Sequence, residues 1–230
     1  MKLLIDIGNT STKIAIAQGS EILHTERLAE PWAAALERLH RDYDIDATVV
    51  SCVGSEGPEL REALAARGST ALWLTHDTPC AISGVPEGYG ADRLAADIGA
   101  YTGQHALLVI DAGTCITYDL IIDGCLSGGV ISPGVQLRLN AMHDYTAALP
   151  AINAQAAERP ALMASDTAGC MLSAALHGVQ FEIEGYVEAL RREHPDLVVI
   201  MTGGNHFCLS DNIEYQYDQF LVLRGLTKLQ

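Results

Sequence analysis

The sequence predicts an α/β protein built from two copies of one unit, and three observations carry that prediction. Apolar runs begin as three strands and then alternate helix with strand, and the same order starts again near residue 106. A hydrophobic strand ending in Asp-x-Gly occurs twice, so that Asp6-Ile7-Gly8-Asn9-Thr10 falls on Asp111-Ala112-Gly113-Thr114-Cys115. The 230 residues are 49% hydrophobic with a mean hydropathy of +0.16, enough for a sizeable buried core, which excludes disorder as the dominant state. Repeats of about 100 residues are too long for a solenoid, so a duplicated α/β unit is the better account, with lobes at 1–103 and 104–230.

Residues 3–8 are a short apolar run, 12–17 alternate as Thr-Lys-Ile-Ala-Ile-Ala, and 21–27 supply a third strand after the Gln18-Gly19-Ser20 turn, together a β-meander. A helix over about 31–41 opens at Pro31, where the missing N–H costs little. The run 47–53 reads as a buried strand, 58–67 as a helix, 70–74 as a strand and 91–102 as an alanine-rich helix. In the second copy, strands are expected at 107–111, 115–122 and ending at 129–131, then helices at about 134–148 and 166–193, and a strand at 197–201.

Charge narrows the partners. Lys and Arg number 8 against 16 Asp and Glu in residues 1–115, and 6 against 13 in the remainder, so neither half hides a basic face. A net charge of −15 argues against nucleic acid or an anionic membrane as the main partner, because both need clustered cations. Cysteines 52, 80, 115, 125, 170 and 208 are irregularly spaced with no Cys-x-x-Cys, which suggests neither a zinc site nor a disulfide framework. The chain runs from Met1-Lys2 into a strand too short for a signal-peptide core, and no 18-residue apolar stretch follows; a cytoplasmic protein is expected.

Both Asp-x-Gly turns put a carboxylate at a strand end where glycine lets the backbone approach a ligand, an arrangement suited to nucleotide phosphates and Mg²⁺. In the first, Asn9, Thr10, Ser11 and Thr12 offer donors to phosphate oxygens and Lys13 a neutralising charge. One such turn alone is equally a plain hairpin; the second copy favours a phosphate clamp. Gly90-Ala91-Asp92-Arg93 lies where a glycine-rich loop meets a helix. There Asp92 can accept a proton from a substrate hydroxyl and Arg93 can grip an anion, or Asp92 caps the helix and Arg93 makes a surface ion pair. Gly128 to Gly134 can bring backbone N–H groups to an anion at a helix start, and Thr202-Gly203-Gly204-Asn205 can let an adenosine lie against the backbone; a strand-to-helix turn and a strand exit use the same residues. Walker, dinucleotide-binding, zinc-protease and nucleophile-elbow motifs are absent from the sequence.

Taken in order, Asp6-Ile-Gly-Asn-Thr10, Gly90-Ala-Asp-Arg93, Asp111-Ala-Gly-Thr114, Gly128-Gly-Val-Ile-Ser-Pro-Gly134, Thr146-Ala-Ala-Leu-Pro150, Thr202-Gly-Gly-Asn205 and Leu221-Val-Leu-Arg-Gly-Leu226 resemble type III pantothenate kinase over nearly the whole chain. The resemblance implies a two-lobed, duplicated ribonuclease H-like fold of the actin, sugar kinase and acetate kinase superfamily. It implies that ATP phosphorylates the terminal hydroxyl of pantothenate to 4′-phosphopantothenate, the first step toward coenzyme A. By the same resemblance, residues 6–13 (Asp6, Ile7, Gly8, Asn9, Thr10, Ser11, Thr12 and Lys13) hold ATP phosphates, with Asp6 near Mg²⁺, and Thr114 touches ATP. Asp92 is the proton acceptor; Gly90, Ala91, Asp92, Arg93 and Thr167 contact pantothenate; and Asp111 binds a monovalent cation, K⁺ or ammonium. A homodimer with the substrate pocket near the subunit interface is implied as well. Family members often carry a pocket tyrosine several residues before the Gly-x-Asp-Arg motif; here that stretch reads Ala81-Ile82-Ser83-Gly84, and the nearest tyrosine is Tyr89.

Two other functions share these features: a nucleotide-dependent regulator that keeps the fold without transfer, and a kinase for another small hydroxyl compound such as a sugar. Asp92 weighs against the first, and a panel of acceptors with ATP separates the second.

Overall fold

A computed structural model describes residues 1–53, 57–154, 160–205 and 209–229, which leaves Cys208 outside the described residues. The chain divides into two compact units. One comprises Met1–Gln104, Asp123–Ser127 and Phe220–Gln230, and the other His105–Ile122 and Gly128–Gln219.

The first unit opens with the expected meander, β1 (Lys2–Ile7), β2 (Thr12–Gln18) and β3 (Glu21–Arg27), followed by α1 (Trp32–Asp42), β4 (Ala47–Cys52), α2 (Gly57–Ala66), β5 (Leu72–Trp73) and α3 (Ala91–Ala100). Its sheet runs β3-β2-β1-β4-β5, antiparallel through the meander and parallel from β1 to β4 to β5. Alternation decides the faces. Leu3, Ile5, Ile7, Ile14, Ile16 and Val50 pack with Trp32, Leu36, Leu39, Leu60 and Leu64 of α1 and α2. Leu4 and Asp6 therefore point to the opposite face, and on that side α3 and α6 (Leu221–Thr227) pack against β1 and β4.

The second unit holds β6 (Ala106–Ala112), β7 (Cys115–Ile122), most of β8 (Cys125–Pro133), α4 (Val135–Asp144), the 27-residue α5 (Thr167–Glu193), β9 (Val198–Thr202) and β10 (Gln216–Tyr217). Its sheet order, β10-β9-β6-β7-β8, repeats that of the first unit element for element. Ala106, Leu108, Ile110 and Ala112 face a core with Val135 and Leu139 of α4 and Met171, Ala175, Val179, Ile183 and Val187 of α5. Asp111 is thereby turned away from α4 and α5, as Asp6 is from α1 and α2. Asp123 (φ 49°) and Gly124 (φ 75°) form the two-residue turn between β7 and β8, the left-handed pair that tight hairpins require.

Three expectations need correction. The last residues, placed with the second lobe, belong to the first unit, because α6 packs backbone to backbone on α3. A Cβ at Gly225 would overlap the backbone of Ala95, and one at Gly99 that of Leu221. The Lys228 ammonium then donates to the carbonyls of Ile98 (2.7 Å), Gly99 (3.0 Å) and Tyr101 (3.0 Å), satisfying the end of α3. The helix expected to 148 stops at Asp144, where the Tyr145 N–H closes the last turn on Ala141 and the Thr146 hydroxyl turns back to the Met142 carbonyl at 2.7 Å. The strand expected over 70–74 pairs only at Leu72 and Trp73. β10 and α6 have too few residues for a periodic signal and were not expected as elements.

Candidate active site

Register sets what surrounds each strand-end carboxylate. In the first unit Asp6 stands opposite Lys13 on β2 and Ser51 on β4, so all three side chains rise from one sheet face. Asp6 and Ser51 are buried, and Lys13 is half-buried. The Ser51 hydroxyl is wholly buried and has no hydrogen-bond partner among the described residues. In the second unit Asp111 stands opposite Thr117 on β7 and Thr202 on β9. Each carboxylate thus has a hydroxyl residue beside it on the parallel neighbour, Ser51 or Thr202, a correspondence fixed by strand pairing rather than by sequence spacing.

The two turns differ by one residue. Between the last pairs, Ile7 with Thr12 and Ala112 with Ile116, the first turn holds Gly8 to Ser11 and the second Gly113 to Cys115. The Gly8 N–H donates to the Ser11 carbonyl (3.2 Å), and the Gly113 N–H to the Cys115 carbonyl (3.0 Å). Asn9 and Thr10 at the first tip and Thr114 at the second are exposed. Ile7 is different: its side chain lies in the core, and its carbonyl accepts from the Val53 N–H at 2.9 Å. Of the residues expected to hold phosphate, Ile7 is thus an anchor of the turn, and Gly8 to Ser11 are the ones the turn presents. Thr12 is likewise buried, as the first residue of β2.

Two glycine-containing loops close on the second turn. The Gly134 N–H donates to the Thr114 carbonyl at 2.9 Å, and a Cβ there would come within 2.5 Å of both the Gly113 and Thr114 oxygens. Gly134 is the residue before α4, whose first turn carries no acid, but its N–H is committed to Thr114 and is not open to an anion. From the other side Gly203 (φ +103°) lies against the Ala112 backbone, the Asn205 N–H donates to the Ala112 carbonyl (3.0 Å), and its side-chain amide donates to that of Gly113 (2.9 Å). The small residues of Thr202 to Asn205 first serve this close approach. The Tyr217 hydroxyl fastens the loop by donating to the Gly203 carbonyl at 2.7 Å; burial, followed by the charges of Asp111 and Asp218, pushes its pKa up.

α3 supplies the third group. Gly90, not Asp92, is the N-cap, and Asp92 sits in the first turn with its Oδ1 accepting the Arg93 N–H at 2.8 Å. The carboxylate of this half-buried residue is thus oriented by the helix start without capping it; a Cβ at Gly90 would lie 2.7 Å from that oxygen. Ala91 is buried beneath it. Thr167 stands apart from the Gly113–Thr114 turn along the chain as the exposed first residue of α5, behind Asp166, whose carboxylate accepts the Gly169 N–H at 2.9 Å.

Sequence reasoning missed a polar network in the second unit. The Glu182 carboxylate on α5 accepts hydrogen bonds from the hydroxyls of Tyr118 (2.9 Å) and Ser132 (3.0 Å) and pairs directly with Arg138. Arg138 also donates to Ser132 Oγ (2.9 Å) and the Pro133 carbonyl (2.7 Å). Burial and Glu182 together hold the Tyr118 phenol well above its ordinary range. Arg138 is 6 residues from Ser132 along the chain, but Tyr118 is 14 and Glu182 is 50 away, and no motif spacing connects them. Their effect is to hold the residues immediately before Gly134.

The donor chemistry fits a Mg²⁺ held largely by phosphate and water. The Asp6 carboxylate and the unpartnered Ser51 hydroxyl beside it are oxygen donors of the kind such an ion takes. No helix among the described residues is long and apolar enough to cross a membrane.

Comparison with known proteins gives these features a family. The repeated sheets belong to the ribonuclease H-like fold of the sugar kinases. A ROK family glucokinase from Streptomyces griseus solved with glucose and AMPPNP matches with a TM-score of 0.55 over 99% of this chain and 97% of its own, at 13% identity. A ROK hexokinase from Thermus thermophilus gives 0.55 over 98% and 96%, at 13%. At such identity the likeness is one of fold. Sequence goes further: a type III pantothenate kinase from Phocaeicola vulgatus is 34% identical over 237 residues, covering 100% of this chain and 97% of that protein. The type III pantothenate kinase model matches residues 2–189, and the chain belongs to that family.

Proposed function

We propose that the residues described above carry the family's reaction, ATP-dependent phosphorylation of pantothenate as the first step of coenzyme A synthesis, in the following roles. The observation that carries the assignment is the matched placement of Asp6 and Asp111, each at the end of the central strand of its sheet with a hydroxyl residue alongside.

In the first unit the backbone and side chains of Gly8, Asn9, Thr10 and Ser11 bind phosphate oxygens, with Lys13 adding positive charge and Thr12 fixing the start of β2. Asp6, aided by Ser51, holds Mg²⁺, which when bound neutralises charge on the phosphates as the phosphoryl group moves. Asp92 accepts the proton of the pantothenate hydroxyl, its carboxylate aimed by the Arg93 N–H; Gly90, Ala91 and Arg93 bind the rest of the substrate. In the second unit Thr114 contacts ATP, Asp111 holds K⁺ or ammonium, and Thr167 contacts pantothenate.

The active species is a homodimer. The apolar groove of about 400 Å³ along α5, lined by Leu162, Met163, Cys170, His177 and Phe181, with Met163 88% and Phe181 54% exposed, is the surface a second copy would cover. The five cysteines among the described residues are free, which suits a reducing compartment, and we assign the reaction to the cytoplasm. The test is a coupled ADP-release assay run with and without pantothenate, in K⁺ and then Na⁺ buffer, against a panel of sugars. ADP release dependent on pantothenate and stimulated by K⁺ is expected; release driven by a sugar and not by pantothenate would sink the reading.

A further inference from the structure

Tyr89, Arg93 and Asp97 form one locked group at the head of α3. The helix begins at Ala91, so Asp97 follows Arg93 by one turn on the same face, while Tyr89 lies just ahead of the helix. The Tyr89 hydroxyl donates to Asp97 Oδ2 at 2.8 Å, and the Arg93 guanidinium carbon lies 4.5 Å from the centroid of the Tyr89 ring. Asp97 is fully buried in an otherwise apolar stretch of helix. A carboxylate there is costly and needs a polar partner, and the phenol is one.

The consequence falls on Arg93. A free arginine gives up rotamer freedom when it grips an anion, whereas one already laid on an aromatic face has surrendered part of that freedom beforehand. The ring can act as a platform only if it is itself held, and the bond to a carboxylate fixed within the packed helix holds it. Arg93 also adjoins Asp92, to whose carboxylate its own N–H donates.

We propose that Tyr89, tethered by Asp97, is a positioning residue that presets the Arg93 guanidinium to receive the carboxylate of the acceptor substrate. The proposal rests on the reading of Arg93 as a pantothenate contact.

The experiment compares Tyr89→Leu, Tyr89→Trp, Tyr89→Phe and Arg93→Lys by steady-state kinetics, varying pantothenate and ATP separately, together with thermal midpoints. Loss of the platform in Tyr89→Leu should raise KM for pantothenate about 3- to 30-fold and leave KM for ATP in place. Tyr89→Trp, which restores an aromatic face without the phenol hydroxyl bonded to Asp97, should recover only part of the loss. Arg93→Lys should raise the same constant, and adding Tyr89→Leu to it should change little more, since the platform then has no guanidinium to hold. An unchanged KM for pantothenate in Tyr89→Leu, or an equal rise in both constants, overturns the proposal whatever the thermal midpoint does. If Tyr89→Leu does not fold, Tyr89→Phe decides: it keeps the ring and cuts the tether, and an unchanged KM for pantothenate overturns the proposal. If Arg93→Lys leaves that constant unmoved in an active enzyme, the reading of Arg93 fails and the proposal with it. A rise in Arg93→Lys without one in Tyr89→Leu removes only the positioning role.

Discussion

The amide of Gly134 donates to the carbonyl of Thr114 at 2.9 Å, joining the start of α4 to the turn that carries the second Asp-x-Gly. Only a residue without Cβ fits, since the added carbon would press to 2.5 Å on two backbone oxygens. Gly134→Ala is therefore expected to destabilise the fold by about 1–3 kcal/mol and to weaken nucleotide binding. Chemical denaturation and titration with a non-hydrolysable ATP analogue check both; a variant of normal stability and affinity would show that the turn tolerates displacement.

Asp92→Asn separates base from cap. Gly90 already occupies the N-cap position, and the amide oxygen can still accept the Arg93 N–H, so the thermal midpoint should stay near wild type. Turnover should fall by about 10² to 10⁴, the usual loss of a general base, while ATP binding persists. Near-full turnover with a marked loss of stability would make Asp92 a helix-start residue only.

Asp111→Asn should be visible in two ways. The Asp111 charge contributes, after burial, to the raised pKa of Tyr217, because a nearby anion disfavours the phenolate. Removing it should lower that pKa, measured as the alkaline absorbance change lost in Tyr217→Phe, and K⁺ stimulation should disappear. A variant that still responds normally to K⁺ places the cation elsewhere.

Glu182→Gln tests the network behind Gly134. It removes the charge paired with Arg138 and weakens the bonds from Tyr118 and Ser132, at an expected cost of about 1–3 kcal/mol in urea unfolding. Ser132→Ala, which leaves the ion pair, should cost less; equal costs would mean the carboxylate charge contributes nothing.

Acid sensitivity should trace in part to Glu26. Burial alone would raise its pKa, but hydrogen bonds from Arg38 (2.6 Å) and His24 (3.0 Å) outweigh burial and hold it below the ordinary 4.5. A folded pKa below the unfolded one means the stabilisation is complete above the ordinary value and is lost as pH falls through the folded one. Arg38→Met should flatten the decline in denaturation midpoint between about pH 6 and about pH 3. An unchanged slope would assign the acid limb to other carboxylates.

What the sequence determined by itself was the periodic and the repeated. Alternation over 12–17, apolar runs at 3–8 and 107–111, and two Asp-x-Gly turns were enough to read a duplicated α/β unit and to single out Asp6 and Asp111, and the glycine-rich loop running into a helix singled out Asp92, because local period and turn chemistry are carried by neighbouring residues. What only the tertiary structure decided was everything set by pairing across long stretches of chain: Ser51 beside Asp6, Thr202 beside Asp111, Gly203 on Ala112, Glu182 with Tyr118, Ser132 and Arg138, and α6 on α3. Register, close backbone approach and buried hydrogen bonds depend on which strands and helices become neighbours, and that is a property of the packed core rather than of any short segment.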